Sequence, residues 1–296
     1  MPDFEPFSCV NGREDAALST LDRGLAYGDG LFETMRLERG SLPFWHFHRR
    51  RLLRDCERLR ICADAGNLDR MLANFLASVR ERGVARGVVK LIATRGEAGR
   101  GYQPPDVGEV TAILSVFPYP SYPRRYGEEG VKVFLCEHRL PHNPALAGMK
   151  HLNKLDYVLA AMEWRDSDCQ EGLLLDQDNN VIEAGSRNLF VVDNGVLLTP
   201  LLDNAGVAGI LRERIVEDYA KRMGTVVEES TLTLETLLAA DEVFLGNSVL
   251  GVWPVRSLLG GAFEEVAVQC PRDSVGGQIH QLYEEDIQTR AKQHVA

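Results

Sequence analysis

The chain has 296 residues, 45 % hydrophobic and 26 % charged, long enough for two cores and ordinary enough in composition to fold throughout. A formal net charge of −10 and a pI near 5.3 argue against a nucleic-acid backbone or an anionic membrane as partner. Six scattered cysteines, with no C-x-x-C pair and no His at metal-ligand spacing, read as buried free thiols of a reducing cytosol and give no metal site.

In chain order, the opening MPDFEPFSCVNGRED lacks a basic start followed by an apolar run, and no stretch of about 18 apolar residues follows, so a soluble cytoplasmic protein is expected. Periodicity predicts a helix from Phe44 to Ala63, with Leu52, Cys56, Leu59 and Ala63 on one face and Gly66 as its stop. Asn67 then reads as the N-cap of a helix that turns Leu68, Met71, Leu72, Phe75, Leu76 and Val79 inward and ends at Gly83. Strands are expected over Val88 to Thr94 and Val110 to Phe117, flanking the polar, glycine-rich loop from Gly96 to Glu109. This half reads as α+β. The segment Pro118 to Gly130, rich in Pro, Gly and charge, is the linker candidate, which gives an N-terminal domain over 1–118, a linker over 119–130 and a C-terminal domain over 131–296.

Beyond the linker come a strand from Val131 to Leu135, a loop carrying Lys150, and a helix with Leu152, Leu155, Leu159 and Met162 on one side. Short strands follow at Leu173 to Leu175, Val181 to Ile182, Leu189 to Val192 and Val196 to Leu198, the last two joined by the hairpin signal Asn194-Gly195. A helix from Gly209 to Met223, a strand near Val226, a short helix from Leu234 to Ala239, a buried strand from Val243 to Leu245 and a terminal helix complete the reading.

Four features carry possible chemistry. Lys150 in AGMKHLNKL sits between a glycine-containing loop and an amphipathic helix; a loop lysine is usually solvated, but a desolvated one has a neutral amine able to form Schiff bases. Glu183 in VIEAGSRNLF lies where a strand pattern is interrupted, so it reads as an exposed edge-strand residue or as a carboxylate aimed into a cleft. Gly206 and Gly209 precede a helix and leave the amides of Ile210 and Leu211 to an anion, or simply enter a helix. Arg51 in HRRRLLRD offers a guanidinium fork, while Arg49, Arg50 and Arg54 read as a solvated face. The pair His46 and His48 lacks a third ligand, GEAGRG leads into Pro104-Pro105 and not into a helix, and G-x-S-x-G is absent.

Taken in this order, these features resemble the fold-type IV pyridoxal-phosphate enzymes, which include branched-chain and D-amino-acid aminotransferases. DRGLAYGDGLFETMR (Asp22 to Arg36) resembles the family's first motif and HRRRLLRDCERL (His48 to Leu59) its phosphate-arginine helix. The likeness continues through AGMKHLNKL, EAGSRNLF, GVAGILRE and ADEVFLGNSVLGVWPV (Ala240 to Val255), up to about Gly261. It implies a two-domain α+β fold with a smaller N-terminal domain and a strand-rich C-terminal domain, pyridoxal 5'-phosphate as cofactor, and a homodimer. It further implies Lys150 as the Schiff-base lysine, Glu183 against the pyridine nitrogen, Arg51, the amides of Ile210 and Leu211 and the hydroxyl of Ser248 around the phosphate, and Thr34 as a proton relay. Arg100 and Tyr102 are the candidates for substrate carboxylates. Residues Lys150 to Asn153 (KHLN), with FETMR and RGxxGRGY, are similar to the lyase members, which release pyruvate and 4-aminobenzoate; the branched-chain enzymes carry a tyrosine shortly after the lysine, and the stretch after Lys150 here reads His151-Leu152-Asn153-Lys154-Leu155. An aminotransferase, and a non-catalytic protein of the same fold, are the competing expectations.

Overall fold

Alternation of apolar residues builds the first part of the computed structural model, which describes residues 4–105, 108–260, 263–271 and 273–293. Strands β1 (Phe7–Val10), β2 (Gly30–Glu38), β3 (Arg86–Thr94) and β4 (Thr111–Phe117) form an antiparallel sheet in the order β1-β4-β3-β2, with helices α1 (Arg23–Tyr27), α2 (Trp45–Arg58) and α3 (Ala65–Glu81) between them. The registers Met35↔Val89↔Val116 and Leu31↔Ala93↔Ala112 stack buried residues on one face. Leu52 and Cys56 of α2 and Leu68, Leu72, Phe75 and Val79 of α3 are buried with them, as the period-3.6 pattern predicts.

Two helix boundaries differ from expectation. The first helix stops at Arg58, five residues before Ala63, because the chain turns left-handed at Arg60 (φ 54°). The second is capped by Asp64, whose Oδ1 accepts from the Gly66 and Asn67 amides at 2.8 and 3.2 Å, so Gly66 lies inside the helix. An aspartate reaching two otherwise unmet amides decides a helix start more strongly than a glycine within the first turn opposes it.

The chain divides after Ser121, inside the segment expected as a linker, where a short helix α4 (Arg125–Glu128) forms. The second unit is one nine-stranded sheet built from β5 (Val131–Leu140), β6 (Glu171–Asp176), β7 (Val181–Ala184), β8 (Asn188–Asp193), β9 (Val196–Pro200), β10 (Val227–Ser230), β11 (Glu242–Asn247), β12 (Gly251–Gly260) and β13 (Phe263–Ala267). Strands β8, β11, β12, β5, β6 and β7 follow one another by pairing, and the β7–β8 pair Glu183↔Asn188 closes them into a ring. Inward residues such as Val133, Leu173, Val191, Leu245 and Val255 fill a common core. Asn194 (φ 50°) and Gly195 (φ 80°) make the tight β8–β9 turn, where two successive positive φ values match the twist of the paired strands.

Helix α5 (Leu155–Glu163) follows the lysine segment. Its predicted apolar side faces solvent in the single chain: Leu155 is 76 % and Met162 64 % exposed, while Ala160 is buried and Tyr157 half-buried. Periodicity marks an apolar stripe, but not what covers it. The expected helix from Gly209 to Met223 consists of α6 (Ile210–Arg214), a π-helical turn (Ile215–Tyr219) and α7 (Ala220–Met223), and ends at Gly224 in the left-handed region. Helix α8 (Leu234–Ala239) and the terminal helix α9 (Val275–Gln293) complete the chain. Two segments depart from the expected C-terminal domain: Lys150–Asn153 and residues 286–293 group with the first unit. For the lysine segment the cause is pairing with β2, through Phe32 N to Lys150 O at 2.9 Å and Leu152 N to Gly30 O at 3.0 Å.

Candidate active site

Lys150 is therefore held by its backbone to the start of β2. Glycines make that approach possible: a Cβ at Gly30 would come 2.7 Å from Ala93 O and 2.9 Å from Leu152 Cδ1, and Gly28 (φ 65°) packs under Asn153, whose Nδ2 donates to Gly28 O at 3.1 Å. Lys150 is half-buried, and its Nζ stands 4.4 Å from the centre of the Phe32 ring. Lys90 Nζ lies 5.2 Å from the same ring. Thr34, also half-buried, is two residues beyond Phe32 on the same strand face and directly opposite Lys90. The sequence reading passed over Lys90, whose signal was a lysine interrupting the apolar run VVKLIAT.

On the other face of β2 a charged group sits in the apolar rows. Glu33, opposite Leu91 and 1 % exposed, accepts from Arg51 Nε at 2.9 Å and from Arg51 Nη2, and its Oε2 is 2.6 Å from His48 Nδ1. Burial works against ionisation of Glu33, but the Arg51 charge, His48 and their hydrogen bonds outweigh it and bring its carboxyl down to about 2. Burial, together with the Arg51 and Lys150 charges, lowers His48 despite the attraction of Glu33, so its imidazole is neutral and donates from Nδ1. Arg51 is thus held by a carboxylate inside the first unit. Neither Glu33 nor His48 was singled out for this role from the sequence.

Arg100 and Tyr102 are exposed, Tyr102 by 87 %. Their loop is fastened by Arg23, whose Nη1 and Nη2 donate to Gly101 O and Tyr102 O at 2.9 and 3.0 Å, and by Tyr27, whose hydroxyl accepts from the Gly101 amide at 3.1 Å. Arg23 is in turn paired with Asp29 at 2.8 Å, which also accepts from Arg95. These contacts position the loop's backbone and leave its side chains outward.

In the second unit Glu183 is buried, not on an exposed edge, because β7 pairs with both β6 and β8. Three donors reach its carboxylate: Tyr157 Oη to Oε1 at 2.5 Å, and Asn188 Nδ2 and the Val207 amide to Oε2 at 3.2 and 3.1 Å. Val207 also forms a parallel bridge with Gly148, two residues along the chain from Lys150. Beside this carboxylate runs the GVAG turn. A Cβ at Gly206 would lie 2.7 Å from Leu202 and 2.9 Å from Ile182, and one at Gly209 only 2.0 Å from Asn188 Oδ1. Gly209 caps α6 in extended conformation and, having no side chain, makes no side-chain cap bond, which suits a helix start that receives an anion. Leu211 in turn packs on Gly246, whose added Cβ would sit 3.1 Å from it, two residues before Ser248. Ser248, 9 % exposed, lies in a β11–β12 turn fixed by Asn247 Oδ1, which accepts from the Val249 and Leu250 amides, and by Tyr283 Oη, which donates to Ser248 O.

The structure thus brings Glu183, the α6 start and the Ser248 turn together by a chain of direct neighbours, and separately groups Lys150 with Phe32, and Arg51 with Glu33 and His48. Taken singly, each group suits one part of an aromatic, phosphorylated aldehyde cofactor: Lys150 an aldehyde, Glu183 a protonated ring nitrogen, the α6 start an anion. Among the described residues one further group, His142 with Asp176 and Asp178, has ligand atoms within 4.8 Å of one another. Asp176 there accepts from the Asp178 and Asn180 amides and shapes the β6–β7 turn.

Residues 30–258 match the family model of class IV amino-transferases. The chain is similar to an aminodeoxychorismate lyase of Vibrio harveyi, at 34 % identity over 253 residues that cover 84 % of this chain and 90 % of that protein. Its structure resembles that of 4-amino-4-deoxychorismate lyase from Pseudomonas aeruginosa, with a TM-score of 0.87, 41 % identity, and coverage of 94 % of this chain and 98 % of that one. The branched-chain amino acid aminotransferase of Escherichia coli gives a TM-score of 0.80 at 27 % identity, covering 94 % and 93 % of the two chains.

Proposed function

The chain belongs to the class IV amino-transferase family, and from that membership we propose that it is a pyridoxal-phosphate-dependent 4-amino-4-deoxychorismate lyase, forming 4-aminobenzoate and pyruvate on the route to folate. The observation that carries this reading is the likeness to the Pseudomonas aeruginosa lyase over nearly the full length of both chains, at 41 % identity against 27 % for the aminotransferase. The stretch after Lys150, which reads His151-Leu152-Asn153-Lys154-Leu155 where the branched-chain enzymes carry a tyrosine shortly after the lysine, supports the same choice.

Lys150 Nζ is the attachment point and, once released, the base that takes the proton from the amine-bearing ring carbon. The bound cofactor supplies an electron sink for the pair left on that carbon. Glu183 would hold the proton on the ring nitrogen of a bound cofactor, since a buried carboxylate favours a positive charge beside it. By the family resemblance, Arg51, the Ile210 and Leu211 amides and Ser248 Oγ are the donors that would hold its phosphate. Thr34 Oγ1, on the strand face that carries Phe32, relays a proton from Lys150 to the departing enolpyruvyl group, and Arg100 and Tyr102 bind substrate carboxylates. Expulsion of that group leaves an aromatic ring, which makes the step irreversible.

The protein acts as a cytoplasmic homodimer. No described helix is long and apolar enough to cross a membrane, and the outward stripe Leu155, Val158, Leu159 and Met162 of α5 supplies apolar surface for a second copy to cover. Purified protein loaded with pyridoxal phosphate is expected to release 4-aminobenzoate and pyruvate in equal amounts from aminodeoxychorismate with no keto acid added. A strict requirement for 2-oxoglutarate would instead establish an aminotransferase. Lys150→Ala is expected to abolish both the yellow of the lysine-bound cofactor and product release; a colourless wild-type protein would point to the non-catalytic alternative.

A further inference from the structure

Tyr157 reaches Glu183 from helix α5. Its hydroxyl donates to Oε1 at 2.5 Å, whereas the other two donors, Asn188 Nδ2 and the Val207 amide, both serve Oε2. Tyr157 thus supplies a donor to Oε1 while the loop and strand donors serve Oε2. Burial, the Glu183 charge and the hydrogen bond to it push the phenol strongly upward, so Tyr157 stays neutral and donates throughout the working pH range. The ring borders a cavity of about 300 Å³, shared with Ala160, Trp164, Glu171 and Ser186, so the side chain is not locked in place by packing alone. Filling such a site needs only a phenylalanine; the hydroxyl is what reaches the carboxylate.

We propose that Tyr157 is a positioning residue: by fixing Oε1 it holds the Glu183 carboxylate in the orientation that meets a ring-nitrogen proton. The inference rests on the function proposed above, in which Glu183 faces the cofactor ring. The charged and titratable groups near the pair are Asp156 and Lys154 on the approach to α5, with Lys154 Nζ 4.2 Å from the Tyr157 ring centre, and Glu171 with Arg187 across the cavity. None of these is changed by Tyr157→Phe, which keeps the ring and removes one donor. Loss of a donor to a carboxylate makes it take up a proton more readily.

The test is a pyridoxal phosphate titration of cofactor-free wild type, Tyr157→Phe, Glu183→Gln and the double variant, followed by absorbance from pH 5 to pH 9, with thermal unfolding of each cofactor-free protein as a control. In Tyr157→Phe, cofactor affinity at neutral pH is expected to fall about tenfold, as for loss of a hydrogen bond to a charged group. The acid midpoint of cofactor release moves up by about one pH unit, while the unfolding temperature of the cofactor-free protein changes little. In the Glu183→Gln background, where the side chain no longer titrates, adding Tyr157→Phe moves neither quantity. An unshifted midpoint in Tyr157→Phe, or the same shift with and without Glu183, overturns the inference while leaving the function standing. A wild type that takes up no cofactor overturns the function itself, and this inference with it.

Discussion

Glu33 and Arg51 face each other inside the first unit as a fork, Nε to Oε1 at 2.9 Å and Nη2 to Oε2, with 1 % and 5 % of the two residues exposed. Breaking a buried pair strands the remaining charge, which costs more than the intact pair contributes. Glu33→Gln is therefore expected to destabilise the protein by about 3–5 kcal/mol, measured by urea unfolding of the cofactor-free protein. The same variant loosens the arginine assigned to the phosphate, so its cofactor affinity falls as well; a variant as stable as wild type would show that the pair is not energetically coupled.

The neighbouring His48 gives the stability a pH dependence of definite sign. Its folded value is depressed below 6.5, and that of Glu33 lies at about 2 against 4.5. In both cases the unfolded chain binds protons that the folded chain refuses, so stability is fully present above 6.5. It declines as pH falls from there, and declines again below 4.5 toward 2. Urea midpoints at pH 7.5, 5.5 and 4 check this, and His48→Asn is expected to remove the first of the two declines. A midpoint that rises between pH 7.5 and 5.5 in wild type relative to His48→Asn would contradict it.

Gly209 tolerates no side chain, since its Cβ would lie 2.0 Å from Asn188 Oδ1. Gly209→Ala must push Asn188 away from Glu183 and from Val207 O, which it now meets at 3.2 and 2.8 Å. Overpacking of this kind costs roughly 1–3 kcal/mol, and the helix start proposed for the phosphate moves with it. Thermal unfolding and cofactor titration of the variant should both show a loss, the affinity falling by an order of magnitude or more; unchanged affinity would remove the α6 start from the phosphate site.

The apolar stripe of α5 bears on assembly. Leu155→Glu combined with Met162→Glu, at positions 76 % and 64 % exposed in the single chain, should cost little in the monomer's fold and shift the mass in solution from dimer toward monomer. Light scattering of wild type and variant at matched concentrations reads this directly. If the wild type is already monomeric, or the double variant remains a dimer, α5 is not the covered face.

What the amino-acid order determined by itself is whatever depends on neighbours along the chain. The period of α3, the Asn194-Gly195 turn, the glycines ahead of α6 and the lysine after Gly148 were all legible, because local backbone geometry and side-chain spacing act within a few residues. Tertiary structure decided which way those residues face. Glu33 reads as one polar residue in a strand until β2 pairs with β3 and α2 supplies Arg51 and His48. Glu183 reads as an edge residue or as a cleft carboxylate until β8 closes the ring at Asn188 and Tyr157 arrives from α5. The apolar side of α5 reads as core, yet it stands outward. Burial and charge pairing join groups far apart in sequence, and no local period encodes which distant strand will cover a given side chain.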